Sequence, residues 1–266
     1  MLIFGFFALA WLVQMFYYGY IFSRMAFVKP DVSENKISFP VSVIICARNE
    51  APNLKKLLPG ILEQDYPDFE VLVVDDFSSD DTGKVLKAFQ DEYSHLRVFT
   101  LSQHLNFFKG KKFPLSLGIK SAKYDHLLLT DADCYPKSNR WISEMMKHYD
   151  DNRKTEMVLG YGAYEKRKGL LNALIRYETL KTALQYFSYA MAGKPYMGTG
   201  RNLSYTKQLF FRDGGFVSHY NIPSGDDDLF VNKAAEKTNV ALAFNKDSHT
   251  LSQPKSTFAD WFKQKS

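Results

Sequence analysis

The acidic triplet Asp131-Ala132-Asp133 is the part of the sequence whose residue types and spacing point most directly to chemistry. It follows the apolar run at residues 127–129, and so it lies where a buried strand would end. Two carboxylates that are two residues apart point to the same side of an extended backbone. At a strand end they form a hard-oxygen site that suits Mg²⁺ or Mn²⁺ with a bound diphosphate. Because two helix-capping acids would look the same in the sequence, the triplet needs support from its surroundings.

Two further acidic groups provide that support. Asp75 and Asp76 close a second apolar run, and Asp226, Asp227 and Asp228 form a cluster downstream. Each group has a plain structural alternative. The first pair can start a turn, and the downstream cluster can cap a helix and complement its dipole. The chemical interpretation therefore requires a fold that brings the three groups to one place.

Short apolar runs rich in β-branched residues alternate with segments of helical periodicity in the first half of the chain. The runs typical of buried strands cover residues 41–46, 70–76, 97–100 and 126–130. This alternation predicts an α/β fold, with a mostly parallel Rossmann-like sheet flanked by helices on both faces. Ligands bind at the carboxyl ends of the strands in such sheets. Asn49-Glu50, Asp75-Asp76 and the acidic triplet all follow predicted strands at that edge.

The second half of the chain is less regular. A long, partly amphipathic helix is predicted over residues 165–190, a tight glycine-rich turn over 198–202, and another helix from the downstream acidic cluster to about Lys237. The six histidines show no metal-ligand spacing and are interpreted as ordinary surface or core residues. Cys46 and Cys134 lie in strand-like contexts and are expected to be free thiols.

Composition restricts the class of protein. The 266 residues are 45% hydrophobic and 24% charged, which is typical of a globular chain with one large α/β domain plus an appendage. The net charge of +5 is modest, and no nucleic-acid partner is predicted from it. That charge suits a protein that works beside an anionic membrane face or on phosphate-bearing substrates.

Residues 2–22 form an uncharged segment whose one strongly polar residue is Gln14. The segment has about the 20 residues needed to cross the hydrocarbon core of a bilayer. A signal peptide would have a basic start, a shorter apolar core and a small-residue cleavage site, so a transmembrane anchor is favoured. Positive charges that begin at Arg24 predict a cytoplasmic location for the rest of the chain.

The expected organisation is therefore that of a single-span protein of the inner (cell) membrane. The transmembrane anchor covers residues 1–28, a polar linker covers 29–40, and one globular domain covers 41–266.

Six blocks of sequence in the globular domain carry a family resemblance. In chain order they are VSVIICARNE, VLVVDDFSSDDT, GKKFPLSLGI, LLLTDADCYP, GTGRNLSY and SGDDDLF. Together they resemble family 2 of the inverting glycosyltransferases over about residues 40–266. The resemblance implies the A-type glycosyltransferase fold and transfer of a sugar from a nucleotide-diphosphate donor, usually with a divalent metal, Mg²⁺ or Mn²⁺. The implied acceptor is a hydroxyl group of a lipid-linked molecule or a polysaccharide at the membrane.

By this resemblance, residues 41–135 bind the nucleotide sugar and residues 136–266 bind the acceptor. Asp75 and Asp76 occupy the positions that contact the base and ribose, where a carboxylate accepts ring N–H or ribose hydroxyl bonds. Arg48, Asn49 and Glu50 line the same pocket. The structural alternative for these three residues is a polar loop that caps the next helix.

The resemblance places Lys111 in the donor-side loop, where a lysine meets phosphate as a point charge. A solvated helix start is the alternative. Asp133 is the implied metal ligand, and Asp131 holds the donor sugar or the water shell of the metal. By the same resemblance, a metal held there would neutralise charge on the two phosphates of the leaving nucleoside diphosphate.

Asp226 is the predicted general base. An inverting transfer needs one carboxylate to take the proton of the acceptor hydroxyl while the sugar carbon is attacked from the opposite face. The family usually has Glu-Asp at this point, whereas Gly225 replaces the Glu here. This departure leaves the assignment open by one residue, and Asp227 is the second candidate.

Two other classes of protein remain as alternatives. A sugar nucleotidyltransferase has a similar sheet, but it would need a glycine-rich phosphate loop directly after the first strand, and residues 46–50 contain no glycine. A catalytically silent membrane scaffold of the same fold would not need intact Asp76, Asp133 and Asp226. A dinucleotide oxidoreductase is disfavoured because no G-x-G-x-x-G opens the first helix.

Residues 254–266 resemble the family's aromatic helix that leads into a Gln-x-x-Arg-Trp motif, which helps hold the acceptor in processive members. Gln264 matches the Gln of that motif, but the Arg and the aromatic residue are absent. We expect the sequence to be a truncated version of a longer enzyme, with a short form that does not need the motif as the alternative.

Overall fold

The structure, a computed structural model, describes residues 2–28, 38–102, 110–149, 154–222 and 224–265. Most of the predicted linker, residues 29–37, lies outside the described residues. The strands are β1 (Val41–Ala47), β2 (Phe69–Asp75), β3 (Leu96–Thr100), β4 (His126–Asp131), β5 (Cys134–Pro136), β6 (Met157–Gly160), β7 (Gly162–Tyr164), β8 (Leu203–Thr206), β9 (Val240–Ala243) and β10 (Thr250–Ser252).

Helices connect and cover these strands. They are α1 (Leu2–Phe16), α2 (Ser23–Ala26), α3 (Ala51–Leu62), α4 (Thr82–Glu92), α5 (Lys112–Ser121), α6 (Trp141–Met146), α7 (Leu170–Met191), α8 (Lys207–Arg212), α9 (Asp228–Ala234) and α10 (Phe258–Lys265). A π-helical segment, Tyr17–Phe22, joins α1 to α2, and short 3₁₀ turns lie at Gly200–Asn202, Val217–His219 and Lys246–Ser248.

The main sheet has the strand order β3-β2-β1-β4-β8-β6-β9. Its first four strands are parallel, as the alternating pattern predicts. The register places Ala47 beside Asp75 and Cys46 beside Asp131, so the residues that follow β1, β2 and β4 emerge at one edge. The acidic groups after β2 and β4 therefore share the carboxyl edge of the sheet.

Strand β8 runs antiparallel to both of its neighbours, which makes the sheet mixed. Leu203 at its start pairs with Leu129 near the end of β4. The glycine-rich turn that precedes β8 consequently lies at the same edge as Asp131. A second sheet, in the order β5-β10-β7, adjoins this edge. Its strands have three residues each, which is too short to show a period in the sequence.

Hydrophobic side chains cover both faces of the main sheet. Val43 and Ile45 of β1 join one core with α3, α4 and α6, whereas Ile44 between them joins the other core with α5, α7, α8 and α9. This alternation follows from the two-residue period of a strand. Both faces are therefore buried, and the polar groups of the parallel strands collect at their ends.

Two helices of the second half differ in length from the prediction. Helix α7 begins at Leu170 because the side chain of Asn172 accepts from the Arg167 N–H (2.7 Å) and donates to the Glu165 carbonyl (2.9 Å), which holds the preceding segment as a loop. Helix α9 ends at Ala234, where the Asn239 side chain donates to the last carbonyl (3.1 Å). Asparagine side chains thus compete with helical hydrogen bonds at both places.

The N-terminal helical segment, Leu2–Ala26, is long and apolar enough to cross a membrane, and its apolar side chains are largely exposed. It contacts the globular domain through α7. The ring centroids of Tyr17 and Tyr189 lie 6.3 Å apart, and the Arg24 guanidinium donates to the Met191 carbonyl at 3.5 Å. The segment thus begins outside the domain and ends against it.

Candidate active site

A lysine joins the two acidic groups at the carboxyl edge of the sheet. The Lys111 ammonium lies 2.7 Å from Asp131 Oδ1 and 3.3 Å from Asp226 Oδ2. Lys111 directly precedes α5, Asp131 ends β4, and Asp226 lies two residues before α9. The structure therefore brings Asp226 beside Asp131 and Lys111, which lie 95 and 115 positions earlier in the chain.

Burial and the neighbouring charges shift the pKa values of the groups in this cluster. Burial raises the pKa of the Asp226 carboxyl, and the Lys111 charge only partly offsets that effect. Burial alone would also raise the pKa of Asp131, but the charge and hydrogen bond of Lys111 lower it below its ordinary value. The ammonium of Lys111 is desolvated, yet its two carboxylates raise its pKa well above the ordinary value. Lys111 and Asp131 form the ion pair, and Asp226 is the carboxylate with the higher proton affinity.

The two aspartates of the downstream cluster are held differently. Asp227 Oδ2 accepts from the Gly200 N–H at 2.7 Å, and its Oδ1 accepts from the Asp228 N–H at 2.8 Å. Both oxygens of Asp227 are therefore occupied by backbone donors. Asp226 is turned toward Lys111 instead.

Gly225 explains the departure from the family's usual Glu-Asp. Its φ is +89°, and a Cβ there would lie 2.4 Å from Leu229 Cδ1. A side chain at this position would be strained and would clash with the first turn of α9. The backbone conformation thus requires glycine directly before Asp226.

Asp131 and Asp133 form a donor set for a divalent cation. Their carboxylate oxygens and the Cys134 sulfur lie within 4.8 Å of one another. Burial, and next the charge of Asp131, raise the pKa of the Asp133 carboxyl. A cation between the two carboxylates would relieve this repulsion, and hard oxygen ligands suit Mg²⁺ or Mn²⁺. These residues fit the metal that the sequence predicts.

Cys134 contributes little to that donor set. Burial raises the pKa of its thiol, and its sulfur lies 2.8 Å from Ser252 Oγ. A neutral, hydrogen-bonded thiol is a poor ligand for a hard cation. Both cysteines are free thiols in the structure, as expected.

The predicted donor-binding residues form the neighbouring part of the edge. Glu50 is half-buried, and its pKa is raised by burial, with smaller contributions from Asp133 and Asp131. Arg48 and Asn49 are exposed. Asn49 has a φ of +57°, and its side-chain oxygen accepts from the Ser79 N–H at 2.8 Å. Asn49 thus ties the loop after β1 to the loop after β2, which is a structural role.

Asp75 and Asp76 also differ from each other. Asp75 is buried, and its Oδ1 accepts from the Ser78 N–H at 3.1 Å, the turn-forming contact of the structural alternative. Asp76 is half-buried, and its N–H donates to the Ala47 carbonyl at 2.8 Å, which extends the β1–β2 pairing by one residue. Asp76 thus lies at the tip of the edge, directly after β2.

Lys112 is a site residue that the sequence did not reveal. Its buried ammonium donates to the carbonyls of His219 (2.7 Å), Ile222 (2.7 Å) and Ser224 (2.6 Å). These three bonds fix the segment that leads into Asp226. A pair of lysines at a predicted helix start gives no signal that one of them is buried.

Asn202 and Arg201 are two further residues that the sequence did not reveal. The side chain of Asn202 accepts from Trp141 Nε1 (3.0 Å) and donates to the carbonyls of Tyr161 (3.1 Å) and Ser248 (2.7 Å). It therefore fixes the turn that contacts Asp227. Arg201 in the same turn carries a charge that lowers the pKa of both Asp131 and Asp133.

Comparison with known proteins gives a consistent set of relatives. The profile of the family described as "Glycosyl transferase family 2" matches residues 42–215. A poly-β-1,6-N-acetyl-D-glucosamine synthase from Staphylococcus epidermidis is 30% identical over 173 residues, which is 64% of this chain and 40% of that protein. A β-monoglucosyldiacylglycerol synthase from Trichormus variabilis is 28% identical over 157 residues, 58% of this chain and 31% of that protein. The chain spans about 40% of the length of the first of these relatives.

Solved structures share the fold. A mannosyltransferase from Pyrobaculum calidifontis, in complex with GDP-Man and Mn²⁺, superposes with a TM-score of 0.67 at 21% identity, over 96% of this chain and 70% of that one. TarS from S. aureus in complex with UDP-GlcNAc gives a TM-score of 0.59 at 19% identity, over 82% and 59%. The fold is thus the A-type glycosyltransferase fold, as the sequence implied.

Proposed function

We propose that this chain, which belongs to glycosyl transferase family 2, transfers a sugar from a nucleotide-diphosphate donor to a hydroxyl acceptor with inversion, as a hexosyltransferase. The observation that carries the proposal is the Lys111 ammonium, which bridges Asp131 and Asp226. It joins the acids that suit a metal and a diphosphate to a carboxylate whose raised pKa suits a base.

The donor lies across the carboxyl edge in this proposal. Asp76, beside Arg48 and Glu50, accepts hydrogen bonds from the base and ribose, while Asp75 and Asn49 shape the loops that carry them. Lys111 meets the phosphates as a point charge, and Asp131 orients the donor sugar. Asp133, with Asp131, would hold Mg²⁺ or Mn²⁺, which when bound neutralises charge on the leaving diphosphate. Family relatives and neighbours support a nucleotide-sugar donor, and the neighbour's Mn²⁺ supports the metal.

Asp226 is the general base in this proposal. Both oxygens of Asp227 already accept backbone N–H groups, so that carboxylate is committed to holding the Gly200 turn. Asp226 can take the proton from an acceptor hydroxyl, because its proton affinity is raised by burial and its position is fixed by Gly225 and Lys112. In an inverting transfer the same hydroxyl oxygen attacks the sugar carbon as the diphosphate leaves.

The acceptor is a lipid-linked molecule or a polysaccharide, and the chain acts at a membrane. Relatives named as a polysaccharide synthase and a glycolipid synthase support this acceptor class. The exposed apolar segment Leu2–Ala26 supports a single span in the cell membrane, with the globular domain on the cytoplasmic side. Nucleotide sugars are then available on the side where the site lies.

A donor-hydrolysis screen tests the proposal. The full chain is incubated in detergent with UDP-, GDP- and TDP-sugars and with Mg²⁺, Mn²⁺ or EDTA, and nucleoside diphosphate release is measured. Metal-dependent release from one donor is expected. A chain that binds donors but never turns them over would be a silent scaffold. Release of pyrophosphate from a nucleoside triphosphate and a sugar phosphate would instead identify a nucleotidyltransferase.

A further inference from the structure

We propose that Arg201 and the cavity beside it bind an anionic oxygen group, phosphate or carboxylate, of the sugar acceptor. The inference rests on the proposed function and specifies the chemistry of its acceptor. Arg201 lies in the turn whose Gly200 N–H binds Asp227, directly beside the proposed base cluster. The backbone of this turn therefore lies beside the proposed base cluster, and the side chain of Arg201 extends from it along β7.

The backbone of Arg201 is fixed from two sides. Its carbonyl accepts from Thr130 Oγ1 at 3.1 Å and from Thr250 Oγ1 at 2.9 Å. Thr130 directly precedes Asp131 in β4, and Thr250 begins β10 of the second sheet. The position of Arg201 relative to the metal-binding acids is consequently set by the fold before any ligand binds.

The side chain of Arg201 lies in a socket that two residues of β7 form. A Cβ at Gly162 would lie only 2.9 Å from Arg201 Cβ and 3.4 Å from its Nε, so glycine makes room for the chain. Further along, the guanidinium carbon lies 4.6 Å from the ring centroid of Tyr164, in a cation–π contact. The guanidinium is thus held in one orientation with an aromatic face behind it.

The guanidinium of Arg201 has no anionic partner among the described residues. Its Nη1 is buried and has no hydrogen-bond acceptor among the described residues, and it forms no ion pair with a described carboxylate. A buried charged donor without an acceptor is costly, and native proteins seldom leave one without a function. An anionic ligand bound to the part of this guanidinium that lines the cavity would offset that cost, since a guanidinium matches phosphate and carboxylate groups.

Arg201 lines a cavity whose other charges already cancel. The cavity of about 290 Å³ is open to solvent and is lined by residues of α7, α10 and β7, with Tyr161 and Trp261 as aromatic walls. Glu178 and Lys265 also line it, and they form an ion pair with each other. Arg201 is therefore the charged residue of the cavity wall without an ion-pair partner among the described residues, although its charge also acts on Asp131 and Asp133. The walls around it suit a sugar ring or an apolar chain.

The position of the cavity favours the acceptor over the donor. Along the sheet edge, Asp76 follows β2, Asp131 ends β4, and Arg201 precedes β8 on the far side. A donor that extends from its base to its diphosphate occupies this edge only as far as Asp131. The helix α7, which forms one wall of the cavity, also contacts the apolar N-terminal segment through Tyr189. An acceptor that approaches from a membrane surface would reach the cavity along this wall.

Binding of matched anionic and neutral probes tests the inference. The full chain in detergent is titrated, with nucleoside diphosphate and Mn²⁺ present, by following tryptophan fluorescence, since Trp261 lines the cavity. One pair of probes is farnesyl phosphate and farnesol, and the other is methyl glucuronide and methyl glucoside. We expect one anionic probe to bind about tenfold or more tightly than its neutral partner, as one charge-assisted hydrogen bond provides. The pair that shows the preference identifies a lipid phosphate or an acidic sugar.

Variants identify the residue responsible. Arg201→Gln should abolish the preference, Arg201→Lys should keep part of it, and Arg212→Gln, which removes an exposed arginine paired with Glu156, should leave it intact. Thermal unfolding tests whether each variant is folded. If Arg201→Gln does not fold, the reduced preference expected for Arg201→Lys becomes the test. Equal affinity for both members of each pair in the wild type, or a preference that survives in Arg201→Gln, would overturn the inference.

Two parallel measurements separate the possible failures. If Arg201→Gln weakens nucleoside diphosphate binding about tenfold and leaves the probes unaffected, the anion belongs to the donor and the inference is wrong. Donor hydrolysis is measured on the same samples. Hydrolysis without any anionic preference defeats the inference alone, whereas a preference without hydrolysis of any donor defeats the proposed function.

Discussion

Two polar clusters lie at opposite ends of the parallel strands, one around the single carboxylate of Glu70 and one around several aspartates, and they are built differently. At the amino end, the buried Glu70 carboxylate accepts from Ser42 Oγ (2.6 Å), the Lys123 N–H (2.5 Å) and Arg97 Nη1 (2.8 Å). At the carboxyl end, a single ammonium, that of Lys111, serves two carboxylates.

The proton affinities of the two clusters reflect this difference. Burial alone would raise the pKa of Glu70, but the hydrogen bonds of Ser42, Lys123 and Arg97 lower it below its ordinary value. At the other edge the pKa values of Asp133 and Asp226 are raised, because burial there is not compensated. A carboxylate with every oxygen engaged stabilises the fold, whereas an under-compensated group is available to a ligand or a proton.

The largest expected effect is that of Asp226→Asn on turnover. The amide keeps the shape of the side chain but cannot take a proton, so the transfer rate should fall by roughly 10²- to 10⁴-fold. Donor binding, measured by calorimetry with the nucleoside diphosphate, should persist. Asp227→Asn is the matched variant. If that variant is inactive and Asp226→Asn turns over normally, the base is Asp227.

Asp133→Ala should act on donor binding instead of on proton transfer. The variant removes one of the two carboxylates that fit a divalent cation, so nucleoside diphosphate affinity in Mn²⁺ should fall by about tenfold or more. Its affinity in EDTA should equal that of the wild type in EDTA. Calorimetry that shows an unchanged Mn²⁺-dependent gain in the variant would contradict the assignment of Asp133.

Glu70→Gln should show the opposite pattern, with lower stability and unaltered chemistry. The amide keeps an acceptor for Ser42 and Lys123 but directs its NH₂ group at Arg97, so we expect a loss of about 2 kcal/mol of unfolding free energy. Specific activity at low temperature should match the wild type. Denaturant unfolding of Glu63→Gln, an exposed carboxylate that accepts from Tyr93, provides the control. A Glu70 variant with wild-type stability would show that the amino-end cluster is not structural.

The smallest effect concerns acid stability. The folded pKa of Glu70 lies below its unfolded value of about 4.5, so its contribution is complete above that pH and is lost as the pH falls toward the folded value. Wild-type stability should therefore decline more steeply than that of Glu70→Gln below about pH 4.5. Denaturant midpoints between pH 3 and 6 measure the difference. If the stability of the wild type and of Glu70→Gln changed equally with pH, the pKa of Glu70 would be the same in the folded and unfolded states.

The carboxyl-end cluster was partly predictable because the strands that position its acidic residues are visible as local sequence patterns. Apolar runs of strand length that end in Asp75 and in Asp131 specify both the elements and the edge at which their acids emerge. The antiparallel orientation of β8 was not predictable, because the sequence of a four-residue strand does not show whether it runs parallel or antiparallel to its neighbours. Lys112 and Arg201 were missed for a related reason. The partners of Lys112 lie 107 to 112 positions away, and the socket of Arg201 depends on a three-residue strand.

The adjacent lysines before and at the start of α5 have a mechanical consequence. Lys111 contacts Asp131 at the end of β4, while Lys112 donates to three carbonyls of the segment that leads into Asp226. The two lysines are joined by one planar peptide bond, so a shift of the backbone at the start of α5 moves both of them. A small rotation of the backbone there would therefore move the partner of Asp131 and the anchor of the segment before Asp226 together. The two sides of the acidic cluster are thus mechanically coupled through a single peptide bond.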